Sequence, residues 1–315
     1  MATLAAPHPL AEPRSRADDL DQVRRLAAIP FLLGVVASFV GLAWDVQWHV
    51  DVGPDTFFTA PHLVFYSGVA ITGLTALAVV LLTTIQTRRR GGVPPAGTIP
   101  ILRGLFHGPA GYVIGGVGAA AFLGYGLLDQ WWHGLYGFDV TLISPPHVGL
   151  ILAILVSMVG ALVAFAGDAR RAIDGAGNWL VPALGLAVSA GVLVAFVTAT
   201  FMDAVAMLWP FHGRVDSSGV VIAALYSAIL LLVSSVVRRP DIATLTALVF
   251  TAIRVATFAL IPWITAEYAA SIGLFLRDNT SGIAVLPGLM PSYLLLAAVA
   301  VDGLLWAGRR WRLQL

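Results

Sequence analysis

Residues 148–167 read VGLILAILVSMVGALVAFAG, twenty residues with no charged side chain. At 1.5 Å per residue such a run is about 30 Å of helix, the thickness of a bilayer's hydrocarbon core. Seven further apolar runs resemble it: Ala27–Asp45, Leu63–Ile85, Gly111–Leu128, Leu180–Phe201, Val220–Val237, Ala243–Trp263 and Ser292–Ala307. The expected fold is therefore an all-α integral membrane protein, a polytopic bundle of about eight transmembrane helices. Ala269–Leu276 is a further, short interfacial helix on this reading. Composition agrees, since 58% of the 315 residues are hydrophobic and only 11% are charged. A soluble domain of this size could not bury that much apolar surface.

The arginines set the expected topology, because cytoplasmic loops collect them. Arg14, Arg16, Arg24 and Arg25 precede the first run, Arg88, Arg89, Arg90 and Arg103 follow the second, and Arg170, Arg171, Arg238, Arg239, Arg309, Arg310 and Arg312 mark alternate ends thereafter. Residues 1–25 are then a cytoplasmic tail and residues 26–315 a transmembrane domain, with both termini cytoplasmic in a cell's inner membrane. The arginine-free connections Val46–Pro61 and Gln130–Pro146 fall on the outer face.

Those two connections carry the chemistry. Trp44–His62 reads WDVQWHVDVGPDTFFTAPH, and Leu128–His147 reads LDQWWHGLYGFDVTLISPPH. One constant offset places Asp45 on Asp129, Trp48 on Trp132, His49 on His133, Gly53 on Gly137 and Asp55 on Asp139. One inserted residue then brings His62 onto His147, each directly after a proline. The pattern is an internal helix-hairpin duplication, with repeat units near residues 27–85 and 111–167.

Asp and His four residues apart share a helix face, so Asp45 with His49, and Asp129 with His133, can converge on one point. His62 and His147 open the next helix, where proline suits the first turn and a short hairpin can return each to its pair. The expected metal ligands are Asp45, His49 and His62 in one trio and Asp129, His133 and His147 in the other. Such sets suit copper, zinc or non-haem iron and leave coordination positions open. Polar residues anchoring helix ends at the interface are the plainer alternative. Asp51, Asp55 and Asp139, in the outer loops, are expected either as hydrogen-bonding partners of the ligand imidazoles or as solvated acids.

This Asp, three residues, His, then a second His opening the next helix, repeated in the following hairpin, resembles the C subunit of the copper membrane monooxygenases. That family includes particulate methane monooxygenase and ammonia monooxygenase. The resemblance implies copper at both trios, oxygen activation on small apolar substrates, and partner membrane subunits. It covers about the first half of the chain, and Asp129 stands where the family has asparagine. A membrane metal-uptake or metal-delivery protein, a haem protein with histidine axial ligands, and a structural membrane subunit remain as other readings.

Other chemistries lack their parts. There is no cysteine, hence no disulfide, thiolate ligand or thiol nucleophile. There is no lysine either, and neither a phosphate-binding loop nor a serine nucleophile elbow occurs. A net charge of +1 without a basic patch points away from nucleic acid. Asp203 and His212 are read as a polar helix end and loop, or as a degenerate third copy. Arg254 and Asp302, inside apolar runs, are expected to bridge one helix to another, because an unpaired charge there costs at least a few kcal/mol.

Overall fold

The computed structural model describes residues 16–53, 55–137, 144–175, 178–208, 217–239, 241–286 and 293–312. Among these residues the chain is almost entirely helical. The helices are α1 (Arg16–Asp51), α2 (Ala60–Arg89), α3 (Ala110–Tyr136), α4 (Pro145–Asp174), α5 (Leu180–Leu208), α6 (Ser217–Val237), α7 (Ile242–Ser271) and α8 (Leu294–Arg312). Seven of them, α1 to α7, are long and apolar enough to cross a membrane. The protein is thus an all-α polytopic membrane bundle.

The eighth run is helical too, as α8. The sequence expectation needs three adjustments. No separate helix occupies Ala269–Leu276, because α7 continues to Ser271 and Gly273, at φ 74°, turns the chain out of it. A small antiparallel hairpin, β1 (Thr98–Ile101) with β2 (Phe106–Pro109), joins α2 to α3 where only a loop was expected. The expected bridge between Arg254 and Asp302 does not form. Asp302 Oδ2 instead accepts a hydrogen bond from the Thr244 backbone N–H at 2.8 Å, satisfying one of the free donors at the start of α7. Arg254 lies ten residues further along, about 15 Å away on the helix axis.

Helices α1 and α2 form one hairpin, and α3 and α4 form the other. Within each, the backbones come almost into contact. A Cβ added to Gly34 would lie 2.7 Å from the Gly68 carbonyl and 2.8 Å from the Thr72 nitrogen. At Gly118 it would meet the Ala153 carbonyl and the Ser157 nitrogen, both at 2.6 Å. Gly34 corresponds to Gly118 at the offset of the Asp/His pairs, and Gly68 and Thr72 correspond to Ala153 and Ser157 at the offset of the second histidines. The duplication therefore includes the helix crossing. Without a hydrophobic drive between helices in lipid, close backbone packing at small residues supplies the association. The hydroxyls of Thr72 and Ser157 bond back to the carbonyls of Gly68 and Ala153, so neither enters the crossing unsatisfied.

The later helices brace the first hairpin. Gln47 on α1, 1% exposed, donates to Asp51 Oδ2 at 2.7 Å and to the Ile283 carbonyl at 3.2 Å, and accepts from the Val285 N–H at 2.8 Å. The Arg277 N–H donates to the Asp51 carbonyl at 2.8 Å. Trp48 and Trp44 pack against Tyr268 near the end of α7, with ring centroids 5.1 and 5.8 Å apart. The segment after α7 is thereby tied to the outer end of α1.

Replacing Gly118 by Leu should cost about 1–3 kcal/mol, because the Ser157 backbone cannot move aside. Thermal unfolding in detergent should show a lower midpoint for Gly118→Leu. Gly124→Ala, where nothing lies within 4 Å, should leave the midpoint near that of the parent. Equal midpoints for parent and Gly118→Leu would refute the close crossing.

Candidate metal centre

The first cluster forms where α1 ends and α2 begins. Asp45 and His49 occupy the last turns of α1, four residues apart, as the helical period requires. The chain then reverses through Gly53, whose φ of 123° is open to glycine, and where the Arg277 guanidinium leaves no room for a side chain. Thr56 and Thr59 make a local turn, with the Thr56 N–H donating to Thr59 Oγ1 at 2.8 Å and Thr59 Oγ1 donating back to the Thr56 carbonyl at 2.8 Å. Proline in the first turn of α2 then sets His62 facing back toward α1.

Four side chains meet at this point, not three. His62 Nε2 lies 3.1 Å from Asp45 Oδ1 and 3.2 Å from Asp55 Oδ2. His49 Nε2 lies 3.9 Å from Asp45 Oδ1 and 3.5 Å from Asp55 Oδ2. One donor atom from each of Asp45, His49, Asp55 and His62 falls within 4.8 Å of all the others. Bonds of about 2.0–2.1 Å to a shared ion would hold tetrahedral donors about 3.3 Å apart, in the middle of the measured range.

Asp55 is the residue that sequence reasoning placed too far out. It was expected beside the site or in solvent, and its side chain is instead 3% exposed and contributes an oxygen to the cluster. Burial pushes its carboxyl up from the ordinary range; the nearby His62 and His49 oppose that shift, and Asp45 adds to it. The signal was present in the repeat, where Asp55 aligns with Asp139 at the same offset as the ligand pair. Asp139 lies outside the described residues. Asp51 does not partner an imidazole, because its carboxylate is taken by Gln47.

Backbone carbonyls orient the rings. His62 Nδ1 is 3.0 Å from the Thr56 carbonyl oxygen, and His133 Nδ1 is 3.0 Å from that of Gly137. A carbonyl can only accept, so Nδ1 carries a proton in each ring and Nε2 is the nitrogen left to face the cluster. The ring of His62 is also stacked on Tyr66, at 5.6 Å between centroids and 20° between planes.

The second cluster repeats the arrangement between α3 and α4. Asp129 Oδ1 is 3.4 Å from His133 Nε2 and 3.3 Å from His147 Nε2. The three donor atoms form a single group, with each side chain between 15% and 26% exposed. Ser144 caps α4 and accepts from the His147 N–H at 3.4 Å, which fixes the first turn. All six residues expected as ligands therefore gather into the two expected trios, with Asp55 added to the first. Among the described residues these are the two groups able to hold an ion. Asp203 lies on α5, but its side chain and the whole of His212 are outside the described residues.

The donor chemistry fits a cation. Asp45 Oδ1 and Asp55 Oδ2 are shielded from water, and His62 Nε2 is close to both. Two carboxylate oxygens held this close repel one another unless positive charge sits between them. That charge is supplied by protons on the imidazoles or by a metal ion, and nitrogen and carboxylate donors suit zinc, copper or iron.

If Asp55 is a donor, Asp55→Asn should weaken transition-metal binding at the first cluster by about tenfold or more and leave the second unchanged. Competition titration against a chromogenic chelator measures both. Unchanged affinity at both clusters would place Asp55 outside the coordination set. The chain as a whole matches no family model, no curated protein and no solved structure.

Proposed function

We propose that this chain is a copper-binding membrane subunit, similar in role to the C subunit of the copper membrane monooxygenases, acting with partner subunits on small apolar substrates. The observation that carries the reading is the convergence of Asp45, His49, Asp55 and His62, and again of Asp129, His133 and His147, with imidazole Nε2 atoms facing carboxylate oxygens. Zinc and iron are compatible with the same donors.

Copper held by these residues would supply redox chemistry. The chain's own residues do the rest. Asp45 and Asp129 offset the ion's charge, and Thr56 and Gly137 hold the His62 and His133 rings in the tautomer that leaves Nε2 free. The Tyr66 ring stacks on His62 and meets the Phe57 ring with centroids 4.9 Å apart. An apolar substrate can reach that depth laterally from lipid.

A second reading, metal uptake or delivery, draws on the 41% exposure of the His49 side chain, which leaves one ligand open to an external source. A conduction path would need ligands at several depths. Among the described residues both groups lie at the same ends of their hairpins, which favours a fixed site.

Protein expressed in copper-replete cells should carry about two equivalents of copper per chain by elemental analysis. The double variant His49→Ala/His62→Ala should carry about one, and a further His133→Ala/His147→Ala change should carry none. Less than half an equivalent in the parent, or no loss in the variants, would refute the assignment. Metal flux into liposomes bearing the parent protein would favour the delivery reading.

A further inference from the structure

At the opposite, arginine-rich end of the bundle, α4, α5 and α6 enclose a cavity of about 330 Å³. Its lining includes Leu162, Val163 and Ala166 from α4, Leu186 from α5, and Leu232 and Val236 from α6. The volume is within the range of small-molecule sites, about 300–1,000 Å³. Leu162 and Leu186 are buried and form the floor, while Val163 and Leu232 are exposed. The cavity therefore opens sideways, toward lipid.

Its rim has the opposite character. Arg170 stands one turn beyond Ala166 on α4, and its Nη1 lies 3.5 Å from the carbonyl of Val236, a lining residue. Arg238 and Arg239 follow directly at the end of α6. The Arg239 guanidinium lies over the Trp179 ring at 4.2 Å, and Arg309 of α8 donates to the Arg238 carbonyl. Two acids face this group: Asp174 pairs with Arg170 at 3.1 Å and Asp241 with Arg239 at 3.4 Å. Both are exposed, and four arginines against two carboxylates leave the rim cationic. Arg171, on the next position of α4, pairs with Asp168.

An apolar slot beneath a cationic rim selects an amphipathic anion. From Arg170 to Val163 is seven residues, about 10 Å along the helix, which is the reach of the upper part of an acyl chain below its headgroup. Juxtamembrane arginines attract anionic headgroups, and basic pockets between membrane helices hold them. We infer that this groove binds an anionic phospholipid, its phosphate on Arg170, Arg238 and Arg239 and one acyl chain in the slot between α4, α5 and α6. The site is independent of the two clusters, which occupy the other end of the hairpins.

Arg170 and Arg309 also satisfy carbonyls at the end of α6, so their loss would disturb the fold. Arg239 does not, which makes Arg239→Gln the cleaner variant. Native mass spectrometry of the full chain, with phosphatidylglycerol or phosphatidylcholine of identical chains, reads the site directly. Phosphatidylglycerol should be retained at least tenfold more than phosphatidylcholine, and Arg239→Gln should lower its retention about fivefold. Ala166→Phe, which fills the slot, should lower retention of both lipids. Ala166→Leu serves the same purpose if the Phe variant loses its native unfolding transition. Equal retention of the two lipids, undiminished retention in the slot-filling variant, or displacement by soluble glycerol phosphate at matching concentration would each overturn the inference.

Discussion

Two helices can bring an aspartate and two histidines to one point only if their axes are held close and in fixed register. In lipid that closeness cannot come from apolar burial, because the surrounding chains are as apolar as the side chains. Here it comes from Gly34 against Gly68 and Thr72, and from Gly118 against Ala153 and Ser157. The crossing fixes the rotation of each helix about its axis. The placement of the helix-borne donors at the outer ends follows from that rotation.

Electrostatics then decides what the outer ends can hold. Asp55 is nearly fully buried beside Asp45, and between them lies His62, whose proton is drawn to the Thr56 carbonyl. Removing two carboxylates from water is expensive unless a cation compensates them. The first cluster therefore calls for compensating positive charge, and the second, with Asp129 as its carboxylate among the described residues, calls for less. The two differ by one carboxylate among the described residues, a difference in charge that bears on which oxidation state of a metal each would favour.

Much of this was legible in the sequence because the physics involved is local. A run such as Val148–Gly167 has one stable solution in a bilayer, and an Asp four residues before a His shares its face in any α-helix. The six candidate ligand positions follow from those facts plus a short hairpin. Asp55 was less legible because it sits in a turn, where direction depends on Gly53 and on the Thr56–Thr59 hydrogen bonds and not on a period. The partner of Asp302 was misjudged for a different reason: an unpaired backbone N–H competes for a carboxylate as effectively as an arginine does, and composition does not record it. The β1–β2 hairpin was missed because its strands are only four residues long and contain prolines.

The Gln47 amide, with all its bonds spent on Asp51 and the segment after α7, gives the two copies unequal neighbourhoods. On the first, the end of α1 is clasped by Trp48, Tyr268 and Arg277; on the second, α3 runs out past Gly124, Gly126 and Gly134, with Leu127 76% and Trp131 56% exposed. Local opening is cheapest where few groups must be released. Among the described residues the clasp on the first copy has no counterpart on the second, so opening the first set of donors would break contacts, contributed from outside the repeat, that opening the second would not.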